Sequence, residues 1–230
     1  MDEGEKFKLS ESTRMPVMLR IAYRIPAVRS YIDRLYDLSL LDPMLAEYGI
    51  RSRRGFDISL NEHFSTVLAD INGYEGQVKR APVLTSPYLA LLFFDLSNVK
   101  QVNDSLGHDR GDGLLEYVAD YLSSVKRATD GIARWGGDEF GITMPFTPYE
   151  TAKHVVNRWA RGLLNNLPSE YDPYFGVYGG LVEFSRGAYE KGILTPKDLV
   201  READRRLYRA RDLRGNRRIC IVGENDELVS

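Results

Sequence analysis

The run Tyr88-Leu-Ala-Leu-Leu-Phe-Phe94, stopped abruptly by Asp95, constrains this chain more than any other feature. It is short, almost wholly apolar, and preceded by a Pro- and Ser/Thr-rich loop over 80–87. Those bounds suit a strand buried on both faces better than a helix. Ile132–Trp135 and Phe140–Met144 read as two further strands around Gly136-Gly137. A Gly-Gly connection predicts a hairpin, because both residues can take positive φ at little cost.

Helical spacing marks Gly111–Ser124, with Leu114, Leu115, Val118 and Leu122 on one face. Helices are also expected over Ser59–Val78, where Ser59 and Glu62 have capping-box spacing, over Thr147–Leu163, and over Pro196–Leu213. The last carries Leu199, Ala203, Leu207 and Ala210 as its core stripe. Tyr174–Phe184 and Arg218–Val222 complete the strands. Mixed helix and strand with one clear hairpin predicts an α/β layered domain with a largely antiparallel sheet. Residues 1–15 are polar and expected to fray. Val17–Tyr48 has helical spacing that Pro26 divides into two pieces. We therefore divide the chain into an N-terminal helical extension, 1–44, and a main domain, 45–230. The extension either packs on the domain or serves dimerisation or signalling.

A formal net charge of −2 gives no basic footprint for nucleic-acid binding. Cys220 is the only cysteine, so no internal disulfide can form, which fits a reducing, cytoplasmic setting. No apolar run approaches the roughly 20 residues that span a bilayer, and the N-terminus is too polar for a secretory signal.

Two places carry acids where stability alone would not put them. Asp95 stands at the end of a buried strand, where an unpaired carboxylate is costly. Asp138 and Glu139 directly follow the Gly-Gly turn. If that hairpin neighbours the Asp95 strand, Asp95 and Asp138 converge into a Mg²⁺ site, which needs one or two carboxylates plus substrate phosphates. Each acid alone has a plainer reading, a helix cap for Asp95 and a surface turn for Asp138. Between them lies Lys100, then Asn103-Asp104-Ser-Leu-Gly107-His108-Asp-Arg-Gly111-Asp112. The glycines favour tight turns or close approach to a ligand. A carboxylate can accept from guanine N1 and N2 while an amide N–H meets O6, and adenine shows the reverse pattern.

The stretch from Phe94 to Asp112 resembles the first signature of the diguanylate cyclases. Arg134-Trp-Gly136-Gly137-Asp138-Glu139-Phe140 is similar to the motif that names the GGDEF family. Ala203-Asp204-Arg-Arg-Leu207-Tyr208-Arg-Ala210-Arg211 resembles its C-terminal helix, and Tyr48–Phe56 a worn version of its opening motif. The resemblance covers roughly residues 45 to 222.

It implies a palm-like fold related to adenylyl cyclases and polymerase palms, and condensation of two GTP into cyclic di-GMP, a bacterial second messenger, with release of two pyrophosphates. It implies Mg²⁺ or Mn²⁺, two per active site, held by Asp95, Asp138 and the Leu96 carbonyl. Asp138 takes the 3′-hydroxyl proton, Glu139 lies beside it, and Lys100 neutralises phosphate charge. Gly136 and Gly137 bring main chain to the phosphates. Asn103 and Asp112 read guanine with His108 nearby, and Arg211 stands where the family has a phosphate-binding Lys. One domain holds one GTP, so catalysis implies a homodimer. Arg127-Ala-Thr-Asp130 stands where many members carry an RxxD product-inhibition site; its plainer reading is a surface ion pair of little energetic worth.

Three departures bear on activity. Ser97 replaces the usual second acid, with Asn98 and Val99 after it. Arg211 replaces the Lys, and the two are not equivalent. Arg214-Gly215-Asn216 replaces Gly-Arg-Asn, moving a second cation out of register. They leave an alternative: a catalytically weak or inactive domain that binds GTP or cyclic di-GMP as a receptor. A mixed GMP–AMP product is disfavoured by Asp112, the guanine-reading acid.

Overall fold

The computed structural model describes residues 26–73 and 88–229. The expected frayed N-terminus, the helical piece before Pro26 and the loop over 80–87 lie outside them.

Five strands form one mixed sheet: β1 (Leu89–Ser97), β2 (Gly131–Gly136), β3 (Glu139–Pro145), β4 (Gly176–Phe184) and β5 (Ile219–Val222), in the order β2-β3-β1-β4-β5. All pairings are antiparallel except β4 with β5. β1 is central, and every one of its residues is buried. Its alternation sends Ala90, Leu92, Phe94 and Leu96 into one core, and Leu89, Leu91 and Phe93 into the other. The first core is closed by α4 (His108–Val125) and α5 (Tyr149–Asn165), the second by α2 (Arg53–Gly73) and α7 (Pro196–Leu213). Helices α1 (Pro26–Ser39), α3 (Val99–Leu106) and α6 (Arg186–Glu190) complete the described set. No helix among the described residues is long and apolar enough to cross a membrane.

The N-terminus of α7 falls where sequence places it. Thr195 and Asp198 bond reciprocally in a capping box, with Pro196 in the first turn. Its stripe of Leu199, Ala203, Leu207 and Ala210 is fully buried. The helix can sit this close to β4 because residue 180 is glycine: a Cβ there would lie 2.0 Å from the Ala203 carbonyl oxygen.

Three expectations need correction. α2 starts at Arg53, six residues before the expected cap; the Ser52 hydroxyl accepts from Gly55 N (3.3 Å), and Ser59 is buried inside the helix. α3 was not foreseen, because eight residues with only Val99 and Val102 buried show too little periodicity. β1 continues past Asp95 to Ser97, since β4 goes on pairing it through Gly176.

Both borders of the sheet are engaged. Outside β2, Arg51 N donates to Ile132 O (2.9 Å), and Arg51 O accepts from Arg134 N (2.9 Å). Outside β5, the C-terminal tail folds back: Val229 N reaches Ile221 O (2.7 Å) and Gly223 N reaches Glu227 O (2.8 Å). The Tyr149 hydroxyl and Lys153 hold Glu227 in that position (2.8 and 3.0 Å).

Candidate active site

The antiparallel register of β1 and β3 sets Glu139 directly opposite Asp95. Directly paired residues share a face, so both side chains lie on the α2/α7 side of the sheet. Asp138 is not on a strand. It occupies the hairpin corner with Gly137, whose φ is +56°, and its carbonyl accepts from Leu96 N at 3.0 Å. The expected Gly-Gly corner is thus moved on by one residue. Trp135 is an extra residue in β2, so Gly136 pairs with Glu139 and joins the strand. The hairpin and the Asp95 strand are neighbours, and the three acids act on one another. Burial first, and repulsion from Asp138 after it, raise the proton affinity of both Asp95 and Glu139.

Arg211 answers that charge. Its Nη2 donates to Asp95 Oδ2 at 2.7 Å, the Arg211 side chain as a whole being 43% exposed. The other carboxylate oxygen, Oδ1, is buried without a hydrogen-bond partner. Burial is the main cause that pushes the Asp95 carboxyl above the ordinary carboxylate range, against the hydrogen bond and charge of Arg211. Burial likewise pushes Glu139 up. Arg211 is held more firmly protonated, first by its bond to Asp95. Among the described residues no three His, Cys, Asp or Glu side chains gather into a ready-made metal cluster. An orphaned Asp95 oxygen beside one or two further acids instead fits a hard cation that takes few protein ligands and completes its shell with water and phosphate.

The other predicted residues line the junction of α3 and α4. Lys100 is exposed in the first turn of α3. Gly107, with φ +97°, breaks the two helices apart, and His108 opens α4 in solvent. Gly111 lies inside α4 and makes no turn. What it permits is close approach of Asn103, because a Cβ at 111 would sit 1.7 Å from Asn103 Oδ1. The Asn103 carboxamide is thereby seated one residue from Asp112, which is exposed. Asn98, at φ +63°, donates from Nδ2 to Tyr174 O at 2.7 Å and ties the start of α3 to the loop before β4. Gly136 and Gly137 are exposed, with open space where a Cβ would stand.

Arg127 and Asp130 close one turn before β2. Asp130 is buried; its Oδ2 accepts from the Arg127 main-chain N–H at 2.9 Å, and its Oδ1 has no partner. The Arg127 side chain is exposed. Arg214 and Arg217, the out-of-register cations, do not bond Asp95, although Arg214 stays beside it on Tyr178, the residue paired with Asp95 across β1 and β4. Arg214 lies over the Tyr178 ring (5.4 Å) and Arg217 bonds Leu213 O (3.0 Å).

Sequence reasoning left Arg134 without a role. Its Nε donates to Gly137 O (2.8 Å), and the same guanidinium reaches Asp42 (3.7 Å). The hairpin corner is thus braced against the segment before α2. A cation two residues before the glycine pair was the available signal.

The profile of the family described as "Diguanylate cyclase, GGDEF domain" matches residues 74–217. An uncharacterized Bacillus subtilis protein, YtrP, is 33% identical over 126 residues, 55% of this chain and 20% of that one. A Vibrio cholerae diguanylate cyclase is 30% identical over 148 residues, 64% of this chain and 44% of that one. This chain therefore spans less than half the length of either relative. Among solved structures, the coiled coil and GGDEF domain of Caulobacter crescentus DgcB, in complex with c-di-GMP, superposes with TM-score 0.67. It is 18% identical and covers 96% of this chain and 100% of that one, a likeness of fold. The active GGEEF domain of a Vibrio cholerae diguanylate cyclase gives TM-score 0.54 at 26% identity, covering 70% and 93%.

Proposed function

The chain belongs to the GGDEF family of diguanylate cyclases, and from that premise we propose that it condenses two GTP into cyclic di-GMP. The observation that carries the reading is the pairing of Asp95 with Glu139 beside Asp138, with a buried Asp95 oxygen left unpartnered. Asp95 and Asp138 hold the metal, with the Leu96 carbonyl. Bound there, Mg²⁺ or Mn²⁺ supplies positive charge that acidifies the attacking hydroxyl and offsets charge on the leaving oxygens. Asp138 accepts the 3′-hydroxyl proton. That oxygen bonds to the α-phosphorus of the facing GTP, the α–β bridging bond breaks, and pyrophosphate departs with its electron pair. Repetition by the second hydroxyl closes the ring, so two GTP give one cyclic dinucleotide and two pyrophosphates.

Lys100 and Arg211 balance phosphate charge. Asn103 and Asp112 read guanine, with His108 at the nucleotide's edge. Each copy holds one GTP, so the working enzyme is a homodimer. Residues before 45 supply part of that contact: Tyr31, Leu35 and Leu38 of α1 are 59%, 48% and 61% exposed, at helical spacing. Arg127 and Asp130 bind product guanine and damp the reaction. The GTP substrate places the reaction in the cytoplasm.

Incubation with GTP and Mg²⁺, followed by chromatography of the products, tests the reading. Cyclic di-GMP and pyrophosphate are expected. No cyclic dinucleotide at high protein concentration, with cyclic di-GMP still bound, gives the receptor reading instead.

A further inference from the structure

The Asp95–Arg211 contact joins residues 116 positions apart, across the sheet–helix interface. It also sets a cation against the acid that the proposed function gives to the metal. We propose that Arg211 is an internal counter-ion that occupies Asp95 until a nucleotide arrives, so that divalent metal enters with the triphosphate and not before it. This rests on the reading of Asp95 as a metal ligand.

The geometry makes the exchange local. The backbone of α7 is fixed before Arg211 by buried Leu207 and Ala210 and after it by half-buried Leu213, so the side chain alone has to move. Its Nη2 bonds Asp95 Oδ2 while nearly half the side chain faces solvent. A guanidinium carries its donors in a planar fork, so one edge can hold a carboxylate while another meets a phosphate oxygen. Arg214 and Arg217 are turned to Tyr178 and Leu213 O. Arg211 is thus the arginine bonded to this acid group.

The order of events follows from charge. A bare divalent cation approaching Asp95 meets a guanidinium already in place and must push it toward Glu139 and Asp138, the acids the cation itself would need, or into water. A metal–triphosphate complex brings anionic oxygens at the same time. Arg211 then changes partner without losing one, and both Asp95 oxygens become available. A lysine at 211 would be a strongly hydrated point charge without the fork, so the replacement of the family's Lys carries the device.

The test is Mn²⁺ binding, read from the electron paramagnetic resonance signal of the free ion. The full chain is used, without nucleotide and then with the α,β-methylene analogue of GTP. Without nucleotide, Arg211→Gln is expected to bind Mn²⁺ roughly fivefold or more tightly than wild type, the lower range of coupling between sites. With the analogue the order reverses and the variant binds more weakly. A side chain of structural importance alone would not reverse sign. Asp95→Asn, added to either background, removes the binding. Arg211→Met, which keeps the aliphatic stem, replaces the glutamine variant if that one fails to fold.

Nucleotide-free Mn²⁺ affinity equal to or below wild type in the Arg211 variant, with Asp95→Asn still lowering it, overturns the counter-ion and leaves the metal site standing. Mn²⁺ binding indifferent to Asp95→Asn overturns both.

Discussion

Asp95 lies on the central strand with one oxygen on Arg211 and the other on nothing. Burial raises its folded proton affinity above the ordinary carboxylate value, so the folded chain binds this proton more readily than the unfolded one. Stability from this group is therefore fully present below the unfolded pKa. It is lost as pH rises through the folded one, so the penalty grows toward higher pH. Asp95→Asn should melt higher than wild type near neutrality, with the advantage vanishing in acid below roughly pH 4, where both side chains are uncharged. Thermal melts across that range check it. The same variant should lose cyclase activity by on the order of 10³-fold, as removal of several kcal/mol of charge stabilisation implies. Arg127→Ala is a clean probe of product binding. Asp130 is held by the main chain of residue 127, so the turn survives the change. Calorimetry should show cyclic di-GMP binding weakened roughly tenfold or more, the worth of a bidentate arginine–guanine contact; undiminished binding would place the product elsewhere. At this scale the acids were legible, because a carboxylate after seven apolar letters has few reasons to be there. The partner of Asp95 was not, because Arg211 reaches it through the fold from 116 positions away.

Elements were legible where chemistry marks their ends. α7 is bounded by a capping box and Pro196, and its stripe fills every turn. The local pattern around α2 favoured Ser59, which tertiary packing buries, while the structure caps the helix with Ser52. α3 has too few apolar residues to announce itself, and its identity as a helix rests on Gly107 turning the chain into α4. The contact of α7 with β4 gives a measurable contrast between two glycines. Gly180→Ala drives a methyl against main chain of α7 and should cost about 1–3 kcal/mol, seen as a lower urea midpoint with unchanged slope. Gly136→Ala meets open space and should leave the midpoint within about 0.5 kcal/mol of wild type. Equal effects at both positions would contradict the packing described.

At the scale of the molecule, each copy presents one set of acids and one α3/α4 junction, so turnover per protomer should climb with protein concentration before reaching a plateau. Leu35→Glu with Leu38→Glu, on the exposed stripe of α1, should shift that climb to higher concentration and leave the melting of the sheet unchanged. Sedimentation alongside initial rates checks both. An identical concentration profile would return α1 to simple packing. The sheet borders bear on how copies can meet. Arg51 occupies Ile132 O and Arg134 N outside β2, and the returning tail occupies Ile221 O and Gly223 N outside β5. Among the described residues each rim is thus partly covered, which hinders pairing with a strand from another copy, a common route by which β-proteins aggregate. Encounter is left to side chains and helix surfaces, whose grip can be made and released quickly. An assembly of that kind can be switched by whatever changes the local concentration of its halves.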